Sequence, residues 1–349
     1  MASRINRAIE LLAQDQAIYY VGAHSGHVLT RAQGREDAGT WADYINIGME
    51  HGAFDMAGLE EYLRGMVEAG PTRSGHRTPA VIVEAPVNGT DAANVRYNAW
   101  QFRQILGRGA HGVLLCQAET PGAVRAFVES CRYPHHLEAV DPFMPSPVER
   151  MRGEGGARRN GTDAGEAKPL GLGTRGRGSE SSAAPIWGIS EPEYRELCDP
   201  WPLNPRGELL LGIKLESPEG VARCEEILSV PGIGLAELGP GDLSLALGYR
   251  EMPRDPYPPE MQEAREKVFA ACRQHGVAFL ETGTPETIAQ KLDEGVRVIA
   301  GHREDTVRIG RAHQRRTLSP VVRTSVSRVR SRPVGSSAAG SRSSENSAR

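Results

Sequence analysis

Two acids stand where chemistry is most readily built: Glu216 in "KLESPEG" and Asp242 in "GPGDLS" each follow a short apolar run and open a helix-like stretch. If those runs are neighbouring strands, about 4.8 Å apart, the two carboxylates can converge on one hard cation such as Mg²⁺, Mn²⁺ or Co²⁺, with water and substrate oxygens completing an octahedron. Taken singly, each acid has a plainer reading, Glu216 as a helix-start acid and Asp242 as a helix N-cap. "GMEHGAFD" sets Glu50 and His51 after another apolar run, and histidine is the natural proton carrier near neutral pH. The glycine-rich "GTRGRGSE", from Gly173 to Glu180, contributes Arg175, Arg177, Gly178 and Ser179. Gln117, after "GVLLC", is either a neighbour of the cation's water shell or a plain strand-end polar residue.

The elements that must position these residues follow a regular rhythm. Eight short apolar runs, 17–22, 43–48, 80–86, 112–116, 208–215, 234–239, 277–281 and 297–301, alternate with amphipathic stretches, several ending at glycine. Eight β/α units predict a closed (β/α)₈ barrel, the doubly wound open sheet being the alternative. In a barrel, reacting groups sit where strands end, which is where Glu50, His51, Gln117, Glu216 and Asp242 fall. Residues 138–172, rich in Gly, Pro and charge, predict a long, partly disordered loop that builds no core. Residues 318–349, rich in Ser and Arg, predict a disordered tail after a barrel domain spanning 1–317.

Composition narrows the partners. Hydrophobic residues make up 39% of the 349, charged residues 24%, and the net charge of -3 offers no polycationic face to nucleic acid. A small molecule is the expected partner. No apolar stretch approaches about 18 residues, so a soluble, cytoplasmic protein is expected. The five cysteines are scattered, with no C-x-x-C pair, and predict buried thiols. No Walker or Rossmann glycine pattern occurs. His24 and His27 form a weak metal pair or line the rim, His135 and His136 read as surface residues, and Trp187 and Trp201 read as packing.

The stretch from Gly212 to Tyr249, "GIKLESPEGVARCEEILSVPGIGLAELGPGDLSLALGY", closely resembles the HpcH/HpaI aldolase family, the metal-dependent class II pyruvate aldolases of the phosphoenolpyruvate/pyruvate barrel superfamily. "EHGAFD", "VESCRYP" and "TRGRGSE" resemble further family motifs in the same order, and the likeness runs from about residue 5 to 313 outside 138–172. It implies cleavage of a 4-hydroxy-2-oxo acid to pyruvate and an aldehyde. It further implies Glu216 and Asp242 as ligands of a divalent metal, His51 in proton transfer, the backbone at Gly241 as receiver of the substrate carboxylate, and Gly178 and Ser179 lining the pocket. A homo-oligomer, typically a hexamer, is implied as well.

Two positions depart from the family pattern. Gly48 stands where an Asp usually partners the histidine, with Glu50 as the substitute at hand. Glu84 stands where an Arg usually ends strand three and stabilises an enolate oxygen. Arg175, Arg177 and His111 are the candidates to restore that charge. Lys214 shares the face of Glu216 by strand alternation, which makes imine chemistry a minor alternative. Two other functions use the same constellation: a citrate-lyase β-like or oxaloacetate-decarboxylating enzyme, and a weakly active barrel that binds a 2-oxo acid.

Overall fold

The computed structural model describes residues 2–153, 169–254, 256–300 and 303–315. Eight parallel strands occupy the eight apolar runs: β1 Ile18–Ala23, β2 Tyr44–Gly48, β3 Ala80–Asn88, β4 Gly112–Cys116, β5 Leu209–Leu215, β6 Leu235–Leu238, β7 Ala278–Thr282 and β8 Val298–Ala300. Each pairs with the next. Gly112 opposite Leu210 joins β4 to β5, and Ile18 opposite Val298 joins β1 to β8, so the sheet closes into a (β/α)₈ barrel. A two-residue segment, Pro200–Trp201, pairs in parallel alongside the start of β5, Pro200 opposite Leu209.

The helices obey their end signals. Asp55, Asp91, Thr120 and Ser217 accept hydrogen bonds from first-turn amides, and Gly276 and Gly295 end their helices in the left-handed region. The stretch between β5 and β6 forms two short helices, Pro218–Ala222 and Cys224–Leu228, broken at Arg223 (φ -106°, ψ 14°).

Strand alternation sorts the barrel interior into two levels. Toward the strand starts it is apolar: Ile18, Tyr20, Tyr44, Ile82, Leu114, Leu210, Leu235, Leu280 and Val298 pack together, closed from below by Ala8, Ile9 and Leu11 of the helix Arg7–Leu12. Toward the strand ends the same faces carry Asn46, Glu84, Lys214, Glu216 and Glu237, all buried. A larger apolar layer, with Tyr62, Phe102, Phe127 and Val268 among its members, fills the space between strands and helices.

The described parts of the 138–172 segment, 138–153 and 169–172, carry more structure than their composition suggests. Ser146 and Glu149 form a reciprocal capping box that starts the helix Pro147–Met151, Val140 bridges to Leu170, and the Leu170 side chain is fully buried. An S-x-x-E cap and one anchoring leucine sufficed where periodicity showed nothing. Residues 154–168 and the tail 318–349 lie outside the described residues. All five cysteines are buried and free. No described helix is long and apolar enough to cross a membrane.

Candidate functional site

Glu216 sits one residue past β5, its side chain 4% exposed, laid against the Gly-Pro-Gly turn after β6. A Cβ at Gly239 would stand 2.2 Å from Glu216 Oε1, so only glycine lets the acid lie there. Asp242 is in the first turn of the helix Pro240–Ala246, whose N-cap is Gly239. Its carboxylate caps nothing; Oδ2 accepts instead from Gln117 Nε2 at 2.9 Å. Gln117 also donates its backbone N–H to Glu216 Oε2 at 3.0 Å, with φ at 51°, a conformation that costs a non-glycine residue energy and aims both donors at once. Gln117 is therefore the clamp between the two acids.

The loop after β2 closes over this pair. One ligand-capable atom each of Glu50, His51 and Asp242 lie within 4.8 Å of one another, and a second such group joins Glu50, Cys116 and Glu216. His51 is half exposed, with Nε2 3.6 Å from Glu50 Oε2, so Glu50 takes the place beside the histidine that a residue at 48 would have filled. Gly48 itself cannot carry a side chain, because a Cβ there would meet the backbone oxygen of His24 at 2.0 Å.

Below lies a charged floor. Lys214 Nζ donates to Glu50 Oε2 at 2.9 Å and stands 3.5 Å from Glu84 Oε2 and 3.7 Å from Glu216 Oε1. Glu84 Oε1 accepts from Asn46 Nδ2 at 2.9 Å and pairs with His24 Nδ1 at 2.7 Å. Burial works to raise the Glu84 carboxyl, but His24 and Lys214 outweigh it and hold it below the usual range; the same contact raises His24. Burial works to discharge Lys214, yet Cys116, Glu84, Glu216 and Glu237 around it hold it firmly protonated. Burial, with Glu50 and Glu237 nearby, pushes Glu216 up to about 8, and burial, with Glu84 and Glu50, pushes Glu237 up to about 7.

This donor set suits a divalent cation. Glu50, Glu84, Glu216, Glu237 and Asp242 bring five carboxylates, met by one ammonium and His24, and buried Glu237 Oε2 has no hydrogen-bond partner. Raised carboxyl pKa values in such a cage mean that positive charge is in short supply.

The structure separates several other candidates from this cluster. Arg175 was expected to bring charge to the substrate, with Gly178 and Ser179 lining its pocket, but within this chain all three stand at the opposite end of the barrel. The buried Arg175 guanidinium donates to Tyr194 Oη and Cys198 Sγ, both at 3.0 Å, and lies over the Tyr133 ring. Tyr194 in turn donates to Leu106 O in the last turn of the helix before β4. Ser179 packs against Gly107 of that same turn, Gly178 donates its N–H to Glu180, and Arg177 is exposed. His111, at the start of β4, is stacked on Trp187 and pushed down to about 3 by burial, so it is neutral there. Nor do His24 and His27 form a pair, since His27 turns to Asp37 at 2.8 Å. His136 is buried rather than on the surface, 3.6 Å from Asp199, while His135 is exposed. Gly241 is open on its Cβ side, beside Asp242 at the mouth. Sequence reading missed Glu237; its signal was an acid inside the apolar run "LAEL", in register with Lys214.

Known proteins are similar to this chain in sequence or in fold. A hydroxypyruvate/pyruvate aldolase of Pseudomonas aeruginosa is 33% identical over 122 residues, 35% of this chain and 41% of that protein. A 2-keto-3-deoxy-L-rhamnonate aldolase of Klebsiella pneumoniae is 29% identical over 197 residues, 56% of each. The chain thus spans about half the length of the curated relatives it matches. In fold, it is similar to an HpcH/HpaI aldolase/citrate lyase family protein from Burkholderia cenocepacia, with a TM-score of 0.59, 21% identity, and coverage of 89% of this chain and 97% of that one. Macrophomate synthase is a comparable neighbour, at a TM-score of 0.57, 19% identity and 85% and 83% coverage. The family model for HpcH/HpaI aldolase/citrate lyase matches residues 80–300, from β3 through β8 and across Glu84, Lys214, Glu216 and Asp242, and the chain belongs to that family.

Proposed function

We propose that the chain is a divalent-metal-dependent lyase that reversibly cleaves a 4-hydroxy-2-oxo acid into pyruvate and an aldehyde. One observation carries this reading: Gln117 clamps Glu216 and Asp242 together at the mouth of a closed barrel, with His51 beside them. Glu216 and Asp242 would hold the ion, which supplies Lewis acidity toward the carboxylate and 2-oxo oxygens of a bound substrate. Mg²⁺, Mn²⁺ and Co²⁺ are the candidates, carboxylates being hard ligands.

The chain's own residues do the rest. The open backbone at Gly241 leaves room for the substrate carboxylate next to Asp242. His51 Nε2, kept near Glu50, takes the proton of the C4 hydroxyl, directly or through one water, as the C3–C4 bond breaks. In the synthetic direction it returns that proton. The apolar lower barrel, floored by Tyr20 and Tyr44, keeps water from reaching the charged cluster from beneath.

A cytoplasmic homo-oligomer acting on small molecules completes the proposal. The exposed Leu245 and Leu247 beside the mouth support self-association, which light scattering of the purified protein measures. The decisive experiment follows pyruvate release from 4-hydroxy-2-oxo acids with and without EDTA. Release that EDTA stops, that Mn²⁺ restores, and that Asp242→Ala abolishes is the expected result. Metal-independent release, or full activity in the variant, overturns the metal assignment. Decarboxylation of oxaloacetate without any aldol cleavage assigns the site to the alternative lyase chemistry instead.

A further inference from the structure

β5 carries two charged side chains to the barrel mouth, and the proposed reaction so far uses only Glu216. Lys214, two residues earlier and on the same face, is 4% exposed. Its ammonium is surrounded by carboxylates from three separate segments: Glu50 after β2, Glu84 in β3 and Glu216 after β5, at 2.9, 3.5 and 3.7 Å. Among the described residues, no other lysine and no arginine pairs with any of these three acids. Glu84 spends Oε1 on Asn46 and His24 and turns Oε2, which has no hydrogen bond of its own, toward the lysine. Such an ammonium is a fixed charge rather than a free nucleophile, and it sits directly beneath the mouth where Glu216 and Asp242 meet.

We propose that Lys214 is a catalytic residue whose ammonium stabilises the enolate oxygen formed at C2 of the 2-oxo acid, with Glu84 as its counter-ion. The inference rests on the lyase reading above. In the cleavage direction the C4 hydroxyl loses its proton to the base, the C3–C4 bond breaks, and C4 leaves as the aldehyde. The bonding pair moves into C2–C3, and the carbonyl pair moves onto the C2 oxygen. Protonation at C3 then returns the C2 carbonyl of pyruvate. Negative charge is greatest on that oxygen between the two steps, and a preorganised cation aimed there is worth about 10²- to 10³-fold in rate. Lys214 remains an ammonium throughout and forms no bond to C2. Glu84 would be hostile to an enolate by itself; paired with Lys214 it orients the charge that offsets it.

Exchange of the pyruvate methyl protons in deuterated water isolates this half of the reaction, and Lys214→Met tests it with little change of shape. The expected outcome is exchange with kcat lowered about 10²- to 10³-fold and KM for pyruvate changed less than about fivefold. Mn²⁺ affinity, titrated without substrate, is expected to be no weaker than in the unaltered protein, because a neighbouring cation has been removed. Lys214→Arg is expected to regain at least about tenfold of the lost rate, and borohydride with pyruvate is expected to leave the mass of the protein unchanged. Exchange within about threefold of the unaltered protein, loss of exchange matched by loss of Mn²⁺ affinity, or a reduced pyruvate adduct on Lys214 each overturns the proposal. If Lys214→Met does not fold, Lys214→Arg decides: folded and slowed less than about a hundredfold, it supports the proposal, and slowed by more than that, it overturns it. If the unaltered protein exchanges no protons with Mg²⁺, Mn²⁺ or Co²⁺, the lyase reading fails and the lysine's role falls with it.

Discussion

At the scale of single residues, the mouth is built by exclusions as much as by ligands. Gly48 shows this most clearly. Its missing side chain looked like a lost partner for His51, yet the His24 backbone occupies the space a Cβ would need, and His24 is the residue that holds Glu84. Gly48→Ala should therefore push the loop after β1 outward, costing about 1–3 kcal/mol of stability and loosening Glu84 as well. A thermal melt together with a pyruvate-exchange assay checks it; a variant as stable and as active as the unaltered protein would show that the loop has room to give. Of the residues expected from sequence to form the site, Glu216, Asp242, Gln117, His51 and Gly241 lie together because each follows a strand. The network beneath them was less legible, since Glu237 and Asn46 are single polar residues within apolar runs.

At the scale of elements, the eight strands were legible because each is a short apolar run between helical stretches, and the observed bounds fall within one residue of those runs at every end but the last of β3, which runs two residues further. The loop from 173 to 179 was misplaced for an identifiable reason. Its likeness to a family motif says nothing about which end of the barrel it occupies, whereas its position in the chain does. It follows the helix after β4 and leads, through two helices, to the start of β5, so it belongs with the strand beginnings. Its arginine is accordingly a packing residue between Tyr133 and Tyr194. Arg175→Met should lower stability by about 2–4 kcal/mol, from lost cation–π contact and unpaired hydroxyl and thiol partners, and leave kcat unchanged. Thermal denaturation and steady-state kinetics on the same preparation separate the two effects; a fall in kcat without a fall in melting temperature would return Arg175 to the chemistry.

At the scale of the whole molecule, two acids at the lower end of the barrel answer in opposite senses to pH. At the lower end, burial pushes Glu208 up to about 7, although the Asn6 backbone and Arg4 pull the other way. Between the ordinary 4.5 and about 7 the folded protein keeps a proton that the unfolded chain has released, so stability falls as pH rises through that window. The loss amounts to up to about 3 kcal/mol. Glu10 works in the opposite sense. Burial raises it, but Ser3, Arg7 and His76 prevail and bring it down to about 2, so its contribution is present above 4.5 and is lost as pH falls toward 2. Denaturant titrations from pH 5 to 8 should therefore show declining stability, and Glu208→Gln should flatten the slope; an unchanged slope in the variant would place the loss elsewhere.

The short helix Arg7–Leu12 does more than finish the core. Tucked under Tyr20 and Tyr44 by Ala8, Ile9 and Leu11, it works as a stopper in a tube whose other end must stay open to substrate. With the stopper in place, solvent reaches Lys214 from one direction only, and the field between that ammonium and its three acids is screened on one side alone. The first dozen residues, far from any reacting atom, thereby tune the local dielectric of the mouth.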